Sequence, residues 1–178
     1  MRSIRTKNSY KSLIEKILLP SLTILGVGLL YTILMPIIDH SWSAFPYFIL
    51  ILALIKTIIV SKVTLKQLSK LVRTHYSIEY VLLVFGVLIT ISIFSFATDY
   101  TCLYQFQNTA FKGPLDPTNF YTYNLYQFFY FSMITFSAVG YGDIIPVSKV
   151  AKFLVMLEIF LSFFIMVYAL ANIKKTHI

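Results

Sequence analysis

The sequence predicts an all-α membrane protein: four transmembrane helices, with a re-entrant helix and loop between the third and the fourth. Three observations predict it. Of 178 residues, 58% are hydrophobic and only 12% are charged, whereas a soluble domain carries roughly a quarter charged residues. Four apolar runs each supply the roughly 20 helical residues that a hydrocarbon core of ~30 Å demands. About fifty residues separate the last two runs, too many for a simple connection.

The same composition excludes other classes. An aromatic content of 17% is foreign to disordered chains. The single cysteine, Cys102, cannot found a disulfide scaffold. The net charge of +8 does not point to nucleic acid, because the bases cluster at the edges of the apolar runs, as bilayer insertion requires.

The first run spans Ile17 to Ile38. It is too long for a signal-peptide core and lacks a small-residue cleavage pattern, so it reads as a retained span. The second runs from Phe45 to Val63, and the short Asp39–Ala44 turn makes the two antiparallel neighbours. The third runs from Tyr80 to Thr98 and the fourth from Val150 to Ile173.

Orientation follows from the bases. Arg2, Arg5, Lys7, Lys11, Lys16, Lys62, Lys66, Lys70, Arg73, Lys174 and Lys175 fall on one side, eleven of the fifteen Lys and Arg. The opposite side holds Lys112, Lys149 and Lys152. The excess marks the cytoplasmic face, so both termini are expected in the cytoplasm of a multi-pass cell-membrane protein. Asp39, Asp99, Asp116 and Asp143 are expected outside or at the outer edge, with Trp42, Phe45 and Tyr47 at the outer interface. Lys56, near the basic end of span two, is expected to snorkel to the inner surface.

Between Lys62 and Arg73 the bases recur at four, four and three residues and share a helical face. A voltage sensor is one reading. An amphipathic helix on anionic inner-leaflet lipids is preferred, since a sensor needs its bases inside an apolar span.

The interval between spans three and four has two parts. Asp99 to Asn119 is polar and turn-rich, with Gly113-Pro114 and Asp116-Pro117. Asn124 to Phe136 is apolar and aromatic but too short to cross, and Ser137-Ala138-Val139-Gly140-Tyr141-Gly142-Asp143 follows. A half-length helix ending in a glycine-containing stretch and returning to the same side is re-entrant. Non-helical backbone at membrane depth survives only where protein buries it or it lines a wet cavity, so several copies are expected around a pore. The helix's C-terminal end, the negative pole of its dipole, favours a cation. The glycines allow conformations that turn successive carbonyls toward one axis.

Ser137 to Asp143 resembles the potassium-channel signature Thr-Val-Gly-Tyr-Gly. Val139, Gly140, Tyr141 and Gly142 match consecutively, Asp143 agrees with the usual continuation, and the flanking spans and Pro146 fit the same context. The resemblance covers Tyr80 to Ile173 and implies an outer helix, a pore helix, a selectivity filter and an inner helix. It implies a homotetramer, one filter segment per chain, conducting K+ passively, with K+ as permeant ion and no cofactor. Backbone oxygens of Ala138, Val139, Gly140, Tyr141 and Gly142 would face the ion. Residues 80–178 would form the pore module and residues 1–79 an accessory part, dispensable for conduction.

Two departures stand out. Ala138 replaces the filter threonine, so the innermost ion site lacks its hydroxyl ring. Ser162 stands where the family's hinge glycine falls, and no glycine follows Gly142. With five residues after span four, no cytoplasmic ligand-binding domain is expected in this sequence.

Phe163, Met166 and Leu170 share one face, which the resemblance assigns to the cavity below the filter. Core packing remains open, because every face of span four is apolar. Lys174 continues that face, either to the inner mouth or out to the headgroups. Glu158 within span four reads either as a gate or ion-attracting charge, or as a protonated or hydrogen-bonded carboxyl packed behind the filter, against Ser132 or Ser137; the second is preferred. His40 is expected outside and His75 and His177 inside, too far apart for a shared metal. Cys102 reads as a free thiol, pairing between subunits being the alternative. A non-conducting regulatory subunit is the second functional class. An enzyme is not expected, since paired carboxylates, a Ser/His pair and metal-ligand spacing are missing.

Overall fold

The computed structural model describes residues 44–73, 78–118 and 121–173, together with Gly26. Its helices are α1, Phe45–Arg73; α2, Ile78–Phe106; α3, Tyr121–Phe136; and α4, Lys149–Ile173. A 3-10 turn at Asn108–Ala110 and two short strands, β1 (Phe111–Lys112) and β2 (Ile145–Pro146), lie between them. Among the described residues, three stretches are long and apolar enough to cross a membrane: Phe45–Leu65, Leu82–Phe106 and Lys149–Ala169. The predicted first span, apart from Gly26, lies outside the described residues, as do Asp39, His40, Trp42, His75, Lys174 and His177.

The long helices follow from their solvent. In a bilayer every backbone polar group must bond within the segment, which a helix does. Their hydroxyls follow the same rule. Thr57, Thr64, Ser92 and Thr101 each donate to the carbonyl four residues back, at 2.7–2.8 Å, so a polar side chain adds no unmet donor.

Three boundaries differ from expectation. Helix α2 does not stop at Thr98 but continues through Asp99 and Tyr100 to Phe106. The basic stretch after Val63 is part of α1, one unbroken helix of 29 residues. The short helix begins at Tyr121, a turn earlier than Asn124.

Helix α3 lies against α2 and α4, and α1 lies against α2 and α4 from elsewhere. The core between α2, α3 and β1 is aromatic. Tyr100 stands edge-on to Phe111 and Phe131, with ring centroids 5.5 and 5.3 Å apart, and Phe111 meets Phe128 at 4.9 Å. Such pairs each add ~0.5–1.5 kcal/mol beyond the area they bury. Cys102 is a free, buried thiol in α2.

Strand β1 pairs antiparallel with β2, Phe111 opposite Pro146 and Lys112 opposite Ile145. The Ala110 carbonyl then accepts from the Val147 and Ser148 amides at 2.8 and 3.2 Å. Ser148 caps α4, its Oγ accepting from the Ala151 amide at 3.1 Å. Helix α4 runs without interruption past the buried Ser162.

Candidate functional site

The site begins where α3 ends. The Val139 amide donates to the Ile134 carbonyl at 2.9 Å, and the Ala138 amide to the Thr135 carbonyl at 3.0 Å. These two bonds, with Ala138 at φ 57°, are a Schellman stop in which Ala138 takes the left-handed position normally given to glycine. Gly140 and Gly142 also have positive φ, 57° and 78°. Left-handed residues thus recur at every second position, 138, 140 and 142.

The first amides of the stretch turn back onto the helix end. Ser137 donates to the Met133 carbonyl at 3.1 Å, and Gly140 to the Ile134 carbonyl at 3.3 Å. The Met133, Ile134 and Thr135 carbonyls are therefore occupied by amides, and among the described residues no backbone hydrogen bond engages the carbonyl oxygens of 138–142. In the single chain Val139 is 52% and Tyr141 71% exposed. A groove of about 410 Å³ runs along this stretch, lined by Ala138, Gly140, Gly142, Ile144, Val155 and Ile159.

The outer loop holds the far end of the stretch. A Cβ on Gly113, at φ 151°, would stand 2.7 Å from the Asp143 carbonyl oxygen, so only glycine lets the two backbones meet. Asn124, buried in the first turn of α3, anchors the loop. Its amide donates to the Asp116 carbonyl at 2.7 Å and its oxygen accepts from the Asp116 amide at 3.2 Å. Desolvation first, then the neighbouring Asp143 carboxyl, raises the Tyr130 phenol above its ordinary range.

Two polar clusters support the site from behind. Tyr100 donates to Glu158 Oε2 at 2.5 Å. Ser132 Oγ touches both Glu158 Oε1 and the Ile93 carbonyl, the latter at 2.9 Å. Tyr100, Ser132 and Glu158 are all at 0% exposure. The second cluster is an ion pair, Lys56 Nζ to Asp99 Oδ1 at 2.6 Å, with both side chains buried. It corrects two expectations. Lys56 does not snorkel inward, and Asp99 does not lie outside the membrane-crossing helix. Each charge is retained because the other compensates it.

Residues 82–177, more than half of the chain, match the family described as "Ion channel". The chain belongs to this ion-channel family. The channel is 38% identical over 92 residues to "Potassium channel K2" of Plasmodium falciparum (isolate 3D7), covering 51% of this chain and 6% of the relative. It is 32% identical over 97 residues to "Potassium channel K2" of Plasmodium berghei (strain Anka), covering 51% of this chain and 6% of the relative. With "Two-pore potassium channel 4" of Arabidopsis thaliana it shares 40% over 68 residues, 38% of this chain and 22% of the relative. The channel thus spans less than a quarter of the length of these relatives. No solved structure matches it significantly.

Among the residues singled out by sequence, Ala138, Gly140 and Gly142 form the left-handed repeat with Val139 and Tyr141 between them, and Glu158 packs on Ser132. Ser137 instead donates to the Met133 carbonyl at 2.8 Å. Phe163 and Met166 are exposed on α4, and Leu170 is on the same helix. Tyr100 was not anticipated as a partner of Glu158. The only sequence trace of that pairing is a hydroxyl-bearing ring inside an apolar run. Among the described residues no cluster of His, Cys, Asp and Glu could hold a metal.

Proposed function

We propose that this channel conducts K+ passively and selectively through a homotetrameric pore. The observation that carries the reading is the left-handed repeat at Ala138, Gly140 and Gly142, with the Ala138 and Gly140 amides tied to α3 and no backbone hydrogen bond on the carbonyl oxygens of 138–142 among the described residues. Four such segments around one axis would offer rings of carbonyl oxygens that replace the hydration shell of a cation. The printed names of the relatives, all potassium channels, support K+ as that cation.

In this reading α3 is a re-entrant pore helix, α2 the outer and α4 the inner helix, and residues 17–38 a fourth span. Both termini lie in the cytoplasm of a cell-membrane protein. The face of Phe163, Met166 and Leu170 lines the cavity, and Lys174 stands at its inner mouth. An uncovered stripe on α4 formed by Phe153, Met156, Phe160, Phe163 and Val167 supports burial against further copies. The basic face of α1 beyond Lys62 meets anionic inner-leaflet lipids.

The test is reconstitution of the full chain alone into liposomes and measurement of bi-ionic reversal potentials. A K+-selective potential is expected. Equal permeability to Na+ and K+ would overturn the selectivity, and no flux at all would leave the regulatory-subunit reading in its place.

A further inference from the structure

We propose that Glu158 is a positioning residue for the filter, held as a neutral acid that donates its own O–H to Ser132. The inference rests on the conduction reading above for its functional half and on hydrogen counting for its chemical half.

Ser132 has one hydroxyl hydrogen. Its Oγ nevertheless has two oxygen partners, the Ile93 carbonyl at 2.9 Å and Glu158 Oε1. The Ile93 carbonyl has no hydrogen to give, so the serine hydrogen belongs to that bond. The hydrogen between Ser132 and Glu158 then comes from the carboxyl. Tyr100 supplies its hydrogen to the other carboxyl oxygen at 2.5 Å. The result is a directed chain: Tyr100 donates to Glu158, Glu158 to Ser132, and Ser132 to Ile93. Every hydrogen is used and no net charge is buried.

A carboxylate in this place would take the serine hydrogen from Ile93 and remain charged at 0% exposure. A buried charge is tolerated when it is paired. The buried cation nearby in α1, Lys56, is bonded to Asp99.

The position explains the use. Tyr100 belongs to α2, Ser132 to α3 and Glu158 to α4, so one carboxyl joins all three helices of the pore module. Ser132 lies half a turn before Ile134 and Thr135, whose carbonyls hold the Val139 and Ala138 amides. A shift of Ser132 moves those carbonyls and with them the first rings of the filter. Carbonyl position decides how well a dehydrated ion is coordinated. Glu158 touches no ion; it acts through α3.

Two variants and one spectrum test this on the full-length channel in liposomes. In Glu158→Gln the amide donates to Ser132 and accepts from Tyr100, reproducing the neutral acid. Its K+/Na+ permeability ratio is expected within about twofold of the parent. Glu158→Leu keeps the volume and deletes both bonds, and its ratio is expected to fall by about fivefold or more, the size of one lost buried hydrogen bond. The infrared spectrum of the parent near neutral pH is expected to show a protonated-carboxyl C=O band that Glu158→Gln removes. Absence of that band, or a Gln variant as unselective as the Leu variant, overturns the proposal. Should Glu158→Leu fail to assemble, the Gln variant and the band still decide. A parent that shows the band but no K+ preference overturns the conduction reading and the positioning role, and keeps the neutral acid.

Discussion

Ala138 does two things that pull in different directions. As the last residue of the α3 stop it must hold φ at 57°, where a Cβ costs ~1 kcal/mol or more relative to glycine. As the first carbonyl of the proposed filter it offers an oxygen but no hydroxyl. Ala138→Gly is therefore expected to raise the thermal midpoint of the purified protein, by the equivalent of about 1 kcal/mol less the entropy that glycine adds to the unfolded chain. Ala138→Thr places a β-branched side chain in the same left-handed well, which is more strained, and is expected to lower the midpoint. It adds a hydroxyl oxygen for an ion entering from the cavity, so block by internal Ba2+ is expected to strengthen. Equal Ba2+ block in parent and Ala138→Thr would mean that water supplies the missing oxygens as well as a hydroxyl does. The sequence exposed only the missing hydroxyl. The helix stop was hidden because its usual sign is a glycine, and here alanine occupies the place.

At the scale of elements, apolar length located the starts of α1, α2 and α4 closely, at Phe45, Ile78 and Lys149 against the expected Phe45, Tyr80 and Val150, because the bilayer sets a minimum length and forbids unmet backbone groups. The upper end of α2 was misread for a physical reason. Thr98, Asp99, Tyr100 and Thr101 look like the start of an aqueous loop, but each has its partner inside the bundle. For Asp99 that partner is 43 residues away, at a distance no local pattern reports. The pair also changes what α1 is expected to do. Removing one partner of a buried ion pair costs roughly 3–5 kcal/mol, whereas replacing both by apolar groups of similar volume is often neutral. Lys56→Met is thus expected to lower the thermal midpoint sharply, and Lys56→Met with Asp99→Leu to recover most of the loss. Additive losses in the double variant would show that the two side chains are not coupled. The same reasoning bears on residues 80–178 expressed alone. That fragment keeps Asp99 but lacks Lys56, so it is expected to assemble poorly as it stands and better with Asp99→Asn. Oligomer yield by size-exclusion chromatography reads the difference.

At the scale of the molecule, the single chain leaves uncovered the surfaces that matter most to the proposed activity. The filter stretch is exposed, its carbonyls lack partners, and α4 presents an apolar stripe. Sequence disclosed this surface through Val139 to Gly142 because chemistry, not packing, selects those residues. It offered Ser132 as one of two partners for Glu158 but could not disclose Tyr100, which a third helix brings to them. If four copies close the filter, K+ itself becomes part of the assembled structure. An ion that binds the assembled state and not the separated chains stabilises it by RT ln(1 + [L]/Kd), about 2.7 kcal/mol at a hundredfold excess over Kd. Na+, which the same carbonyl rings coordinate less well in a selective filter, is expected to stabilise it less. The full-length protein is therefore expected to dissociate at a higher temperature in K+ than in Na+ at equal ionic strength. The gap is expected to widen as the logarithm of K+ concentration. Equal ionic strength matters, because general screening of the basic helix ends affects both salts alike. A dissociation temperature identical in the two salts would show that the assembled state holds no K+ in preference to Na+. A gap that Glu158→Gln preserves and Glu158→Leu abolishes would place the neutral carboxyl and the ion in one thermodynamic unit.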